Sequence, residues 1–481
     1  MKKLFFLNLL FLLFCCLSSV KLRAQNSAQL AIQRFEADEQ LKGTSIGFYA
    51  IDAQTGSLIA SSQNQLNLTP ASVLKLATTT AALDILGTDY QFTTVFGRNS
   101  TSVDGKTKQN LILTAGGDPT IGSKYFFSSG SANQLVKDWA HIIYNRIHAK
   151  SIHQLIIDLS IYDKQYIPNT WIWEDMGNYY GAGVYALSAY DNMCTLHFRS
   201  PAEPGKLTAI TGVSPHYANI KFDNEVLSSD INKDKAYVFG SPFDNYRVVR
   251  GTIPKNRTDF KVKAALPSPP QTLANELADE LESLGIKVDN VKLTYTPTTP
   301  KDTLFIYHSP KLKQIVKVTN HESVNLFAEH LVKQLAYEKY GQGNFRQGIV
   351  IIQNYWRNKG IDLPYMEDGS GLSRFDAITA EQLCKIVYSA YQNPKISNAF
   401  LNSLPIAPNG TLWYFSKGIF NNNCLRAKSG SMTRIRSFAG ELKTDSGRTV
   451  LFALITNNFP VNQNILIKKI QVLLNNIKTM Y

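Results

Sequence analysis

Cysteine is scarce, five residues among 481, which is too few for a scaffold built on disulfides. Long apolar runs are scarcer still. The one candidate lies at the extreme N-terminus, from Leu4 to Val20, and no later run is long enough to span a bilayer. There is no sequence repeat, and 29 Gly with 19 Pro exclude a collagen-like or low-complexity chain. What is present is an ordinary globular mixture: 44% hydrophobic and 18% charged residues supply apolar area for a large core and exclude a disordered chain. At about 100–200 residues per domain, two to four domains are expected.

The N-terminus reads as an export signal, because Lys2 and Lys3 lead the apolar run and small or polar residues follow it. Cleavage is expected after Ala24, giving a signal peptide of residues 1–24 and an exported, periplasmic protein. An uncleaved anchor is the first rival reading. A lipoprotein is the second, but bulky Phe14 precedes Cys15 where a small residue is wanted. Loss of Lys2, Lys3, Lys21 and Arg23 with the signal lowers the formal net charge from +13 to +9. A mildly basic exported protein suits an anionic wall polymer or a membrane surface, although solubility alone would explain the charge. No nucleic-acid partner is expected. Cys194, Cys384 and Cys424 remain, none at metal-ligand spacing, so neither a metal nor a cofactor is expected.

Residues 45–51 and 57–60 read as a hairpin about the turn Ala53-Gln54-Thr55-Gly56. Thr69 is placed to cap the next helix, with Pro70 at its first position and Gly87 as its stop. From about 90 to 300 the chain is rich in Asn, Thr, Asp and short β-like runs, including Asn110–Thr114 and Leu155–Asp158. Pro267-Ser268-Pro269-Pro270 marks a junction before a helix over about 271–284. Helical periodicity then returns at Val324, Phe327, Leu331 and Leu335, and Thr379-Ala380-Glu381-Gln382 is a capping box. Strands follow over 424–432, 436–442 and 449–455. A last amphipathic helix over 464–477, with a stripe of Leu466, Ile470, Leu473 and Ile477, is expected to cover the sheet they form.

Three short motifs carry chemistry. Ser72-Val73-Leu74-Lys75 sets a hydroxyl and an amine one helical turn apart on the same face. In a first turn, free N–H groups and the helix dipole favour negative charge, so an alkoxide or oxyanion at Ser72 is stabilised. A lysine beside it, with its pKa lowered by its neighbours, can serve as base. Taken alone, this spacing is common by chance, and a helix-start serine with a solvated lysine explains it as well. Ser323-Val324-Asn325 opens the next helix, where capping alone would account for it. Lys428-Ser429-Gly430-Ser431 lies in an expected strand, where glycine leaves room for a ligand's approach. Lys428 brings positive charge, and the Ser431 N–H can complete an oxyanion hole with that of Ser72. A strand lysine facing water is the plain alternative.

The order of the three motifs says more than any one of them. Ser-x-x-Lys, Ser-x-Asn and Lys-Ser-Gly, on helix, helix start and strand, form the active-serine penicillin-recognising arrangement. The chain resembles the D-Ala-D-Ala carboxypeptidase/endopeptidases of the penicillin-binding protein 4 type. Further landmarks are Leu113-Thr114-Ala115-Gly116-Gly117-Asp118-Pro119, Tyr180-Gly181-Ala182-Gly183 and Asp368-Gly369-Ser370-Gly371-Leu372-Ser373-Arg374. The 251-residue gap between Ser72 and Ser323 fits a family that inserts domains there. Ser429 replaces the usual Thr, and Val324 stands where Asp or Asn is commoner.

The resemblance implies a mixed α/β (α+β) fold of the serine β-lactamase/DD-peptidase kind. It has a five-stranded antiparallel sheet flanked by helices, an all-helical subdomain and two inserted β-rich domains. Residues 25–90 and 303–481 would form the catalytic domain, 91–190 and 265–302 an inserted domain, and 191–264 a second domain nested in it. The resemblance also implies the roles. Ser72 attacks a D-Ala carbonyl, Lys75 takes its proton, and Ser323 relays a proton to the leaving amine. Asn325 holds the substrate amide, while Lys428 and Ser429, on the strand with Gly430 and Ser431, bind the terminal carboxylate. Asp158 and Arg374 would grip the charged side chain of diaminopimelate in a peptidoglycan stem peptide, and β-lactams would be covalent inhibitors.

Other classes fit less well. His321-Glu322 begins a zinc-peptidase H-E-x-x-H, but Asn325 stands at the second His, and no G-x-S-x-G surrounds Ser72. A β-lactamase shares the three motifs but not the long insertion. A wall-binding protein that acylates with penicillin and turns nothing over is expected to have lost a motif residue, and Ser72, Lys75, Ser323 and Lys428 are all present.

Overall fold

The computed structural model describes residues 27–127, 132–216 and 220–481. The expected signal peptide lies outside them. After a helix over residues 27–36 and a 3-10 turn at Glu39–Leu41, the chain forms the hairpin β1 (Ser45–Asp52) and β2 (Leu58–Ser62), then helix α1 (Lys75–Leu86). An insertion follows: β3 (Thr93–Val103), β4 (Lys106–Thr114), α2 (Ala132–Ile147) and β5 (Gln154–Asp158). Nested within it are β6 (Met193–Ser200), β7 (Ala209–Ser214), β8 (Lys221–Ser229), β9 (Tyr237–Phe239), β10 (Tyr246–Pro254) and β11 (Arg257–Ala265). The outer insertion resumes with α3 (Pro269–Ser283), β12 (Val291–Thr294) and β13 (Asp302–His308). The chain then builds α4 (Leu312–His321), α5 (Asn325–Tyr340), α6 (Phe345–Arg357), α7 (Ala380–Gln392) and α8 (Ser397–Ser403). It closes with β14 (Leu425–Met432), β15 (Ile435–Lys443), β16 (Thr449–Asn457) and α9 (Gln463–Met480).

The chain's two ends share one antiparallel sheet, ordered β14-β15-β16-β1-β2. Its central strands alternate with period two between two cores. Leu451, Ala453 and Ile455 of β16 join the core of the helical side. Val450, Phe452 and Leu454 face the opposite core with Leu466, Ile470, Leu473 and Ile477 of α9. The terminal helix therefore covers the sheet, as its stripe predicts. Among the described residues no helix is long and apolar enough to cross a membrane.

The outer insertion builds its own mixed sheet, β12-β5-β4-β3-β13. The nested segment builds a pair of three-stranded sheets, β9-β10-β8 and β11-β6-β7. These nested sheets enclose a separate small core around Leu196, Val249 and Val262. The expected boundary at residue 303 falls inside β13, which pairs with β3 of the insertion. Backbone hydrogen bonding places this strand with the inserted sheet, so the return to the helical region comes after His308.

Helix α1 is buried almost all round, so its apolar residues need no single stripe. Gly87, at φ +90°, ends it with its N–H on the Leu83 carbonyl. The expected Thr69 cap does not form. The chain enters instead through a 3-10 turn, Ala71–Leu74, which has no side-chain cap. Thr379 and Gln382 do cap α7 reciprocally. Cys194, Cys384 and Cys424 are free and buried.

Candidate active site

Ser72 lies in the 3-10 turn and Lys75 is the first residue of α1. Ala71 stands in the left-handed region at φ +51°, an unusual conformation for a residue with a Cβ, and it sets the turn that carries Ser72. Lys75 is fully buried. Its Nζ lies 3.0 Å from Ser72 Oγ, 2.5 Å from Asn325 Oδ1 and 2.7 Å from the Ser370 carbonyl. Burial brings its pKa down to about 7, against the opposing pull of Asp368, Glu329 and Asp376. Burial pushes the carboxyls of Glu329 and Asp376 upward as well. A neutral lysine has two N–H donors and one lone pair. The two carbonyl-type oxygens take the donors, which leaves the lone pair for the Ser72 hydroxyl.

The loop 368–374 supplies the Ser370 carbonyl. Asp368 organises it by accepting the N–H groups of Ser370, Gly371, Leu372 and Ser373. Trp171 of the insertion donates its indole N–H to the same carboxylate at 2.8 Å. Glu329 accepts the Gly369 N–H.

Ser323 sits between α4 and α5 at φ +61°. At this left-handed corner its hydroxyl accepts from Lys428 Nζ, 3.0 Å away. Lys428 is fully buried, and its Nζ also donates to the Ser429 carbonyl at 2.6 Å. Burial, then the nearby Lys75 and Arg436, hold its pKa well below the ordinary lysine value. Asn325 joins core and insertion, taking Lys75 Nζ on its oxygen and donating its Nδ2 to the Tyr180 carbonyl at 2.9 Å. Gly430 is where β14 meets the serine turn. A Cβ there would fall 2.6 Å from the Pro70 carbonyl oxygen and 3.0 Å from the Ser72 nitrogen.

Ser72 and Ser323 together line two adjoining lobes of a cleft. One lobe continues to Asn325, Asp175, Tyr180 and Arg374, the other to Ser429, Thr411, Tyr414 and Arg436. Ser431 borders both. Thus Ser72, Lys75, Ser323, Asn325, Lys428, Ser429, Gly430 and Ser431 come together, and Arg374 lies within reach of the first lobe.

Asp158 does not. It is 2% exposed at the end of β5 and lines neither lobe. Its carboxylate accepts the N–H groups of Ser160 and Thr298, so it holds a loop of the insertion. The acid facing Arg374 is Asp175, 7% exposed. Burial raises its pKa, and Arg374 and the Tyr180 hydroxyl oppose the shift. Asp175 stands five residues before the Tyr180-Gly181-Ala182-Gly183 landmark, and Asp368 opens the Asp368–Arg374 one. Those landmarks are the signals that could have found both acids.

The family model of the D-Ala-D-Ala carboxypeptidase 3 (S13) family matches residues 28–477. The chain belongs to that family. This S13 protein is therefore a serine-type D-Ala-D-Ala carboxypeptidase, a hydrolase. It is 26% identical to the D-alanyl-D-alanine carboxypeptidase of Actinomadura sp. (strain R39) over 438 residues, 87% of this chain and 79% of that one. It is 23% identical to the D-alanyl-D-alanine carboxypeptidase DacB of Haemophilus influenzae, covering 87% of this chain and 86% of the relative. The crystal structure of penicillin binding protein 4 from Haemophilus influenzae superposes with a TM-score of 0.79 at 21% identity, over 93% of this chain and 99% of that one. The likeness establishes the mixed fold, with an antiparallel sheet flanked by helices.

Proposed function

We propose that this S13 enzyme hydrolyses the D-Ala bond of peptidoglycan stem peptides through an acyl-enzyme on Ser72. The observation that carries this reading is the buried Lys75, whose Nζ lies 3.0 Å from Ser72 Oγ and donates hydrogen bonds to the Asn325 and Ser370 oxygens, so that in the neutral amine the lone pair is left to Ser72. Lys75 removes the Ser72 proton as the oxygen attacks the scissile carbonyl. The N–H groups of Ser72 and Ser431 receive the oxyanion. As the tetrahedral intermediate collapses, the proton that Lys75 took from Ser72 passes by way of the Ser323 hydroxyl, held by Lys428, to the leaving amine. Asn325 orients the substrate amide. The Ser429 hydroxyl meets the carboxylate next to the scissile bond. Water then attacks the ester and frees Ser72.

The same carbonyl is cleaved in a carboxypeptidase and in an endopeptidase reaction, and we assign both to this site. The first lobe, with Asp175 in place of Asp158 and with Arg374, suits a side chain bearing both an amine and a carboxylate, as diaminopimelate does. β-Lactams are the matching covalent inhibitors. Support comes from the related Haemophilus influenzae fold, whose crystal structure has been obtained as a complex with a β-lactam. Export to the periplasm by cleavage after Ala24, with wall polymer or membrane surface as the anionic neighbour, completes the reading. N-terminal sequencing of the secreted protein checks the cleavage.

The decisive experiment is intact-mass spectrometry with penicillin G followed by peptide mapping. One adduct on Ser72 is expected, and Ser72→Ala is expected to lose both adduct and peptide hydrolysis. An adduct on another serine, or none, would refute the assignment.

A further inference from the structure

Three buried polar atoms on one wall of the second lobe have no partner in hydrogen-bond geometry among the described residues: Arg436 Nε and the hydroxyls of Tyr414 and Thr411. Arg436 is 6% exposed. Its guanidinium lies over the Tyr414 ring, 4.7 Å from the centroid, and 5.5 Å from that of Phe438. The Tyr414 hydroxyl is near enough to oppose the downward pull of burial on the arginine. No carboxylate among the described residues pairs with Arg436. A guanidinium removed from water without a counter-ion is costly, and so are buried hydroxyls without partners. Together they line one wall of this lobe with hydrogen-bonding groups and a cation.

Strand register says what that place is. In the β14–β15 pair, Ser431 lies opposite Arg436 and Ser429 opposite Phe438. Opposed residues project to the same face of an antiparallel pair and alternate residues to opposite faces. Ser429, Ser431 and Arg436 therefore share one face. Lys428 and Gly430 belong to the other, where Lys428 meets Ser323. The cation on the face of the Ser429 hydroxyl is Arg436.

We propose that Arg436, with Ser429, Tyr414 and Thr411, forms the ion-pairing pocket for the carboxylate on the leaving side of the scissile bond, and that Lys428 acts through Ser323 instead. The planar guanidinium can give two parallel hydrogen bonds to a carboxylate, and the three hydroxyls can serve its remaining lone pairs. This inference rests on Ser72 being the nucleophile of a D-Ala peptidase.

The test measures kcat/KM for an acylated D-Ala-D-Ala peptide as free acid and as C-terminal amide. Truncating one partner of a buried charge pair is large in effect. Arg436→Ala is expected to lower kcat/KM on the acid by about 10²-fold while changing the amide less than about threefold. The amide thereby reports that the variant is folded. Arg436→Lys, which keeps the charge but loses the fork, is expected to fall between wild type and Arg436→Ala on the acid alone. Lys428→Ala is expected to lower both substrates alike. Equal losses on acid and amide in both Arg436 variants, or no loss on the acid, would overturn the assignment of Arg436 while leaving the active serine intact. A wild type that turns over neither peptide and takes no penicillin at Ser72 would overturn both.

Discussion

Two lysines on neighbouring helices are buried to the same extent and differ in what surrounds them. Lys333 on α5 donates to Asp163 at 2.8 Å and to the Gln165 carbonyl, and this directly paired acid opposes the lowering of its pKa by burial. Lys75 meets only neutral oxygens directly. The acids behind it do not outweigh burial, and its pKa falls to about 7. A base must be unprotonated to act, so the sign follows directly. The rate of Ser72 acylation is expected to rise with pH, tenfold per unit below about 7, and to level off above it. Stopped-flow acylation by penicillin G from pH 5 to 9 checks this. A profile flat through 7 would remove Lys75 as the base. Lys75→Ala is expected to slow acylation by about 10²–10⁴. The spacing of Ser72 and Lys75 was legible because three residues make one helical turn. The lowered pKa was not, because it depends on Asn325 and Ser370, 250 and 295 residues further on.

At the scale of elements, the site is a joint between a turn and an edge strand. β14 comes so close to the turn of Ser72 that position 430 has no space for a side chain, with the Pro70 carbonyl oxygen 2.6 Å from where a Cβ would be. A backbone oxygen cannot swing away as a side chain would. Gly430→Ala is therefore expected to push the turn off the strand and misplace Ser72 and the two oxyanion N–H groups. A displacement of about 1 Å can cost 10²-fold in rate. We expect a loss of that order in penicillin acylation with an unchanged circular dichroism spectrum, and acylation at the wild-type rate would contradict the joint. Period-two and helical patterns made β14, β15, β16 and α9 readable to within a few residues. The entry to α1 is not legible in the sequence, because nothing in Thr69-Pro70 distinguishes a capped helix from a 3-10 turn with Ala71 in a left-handed conformation. The place of Arg436 is hidden in the sequence for a similar reason. Only the pairing of β14 with β15 sets it beside Ser431.

Across the whole molecule, the insertion is fastened along α5. Asn325 reaches the Tyr180 carbonyl, His330 bridges Ser188 Oγ and the Gly117 carbonyl, and Lys333 pairs with Asp163. Trp171 adds a bond to Asp368 of the loop 368–374. An insertion held this firmly can form a wall of the cleft. The wall it contributes carries Asp175 and Tyr180, facing Arg374 of the core. That a long insertion sits between the first two motifs was plain from the 251-residue gap. Which of its acids faces the cleft was not, since Asp158 follows the apolar run 155–157 and Asp175 comes two residues after the apolar run 171–173, and only the packing separates them. The two acids therefore predict opposite results. Asp175→Ala and Arg374→Ala are expected to erase a preference for a stem peptide with diaminopimelate over one with an uncharged residue at that position, leaving penicillin acylation nearly unchanged. Asp158→Ala leaves the Ser160 and Thr298 N–H groups without their acceptor. It is expected to cost about 1–3 kcal/mol of stability, read as a lower Tm, with the substrate preference retained. Loss of the preference in Asp158→Ala, or its survival in Asp175→Ala, would reverse the assignment.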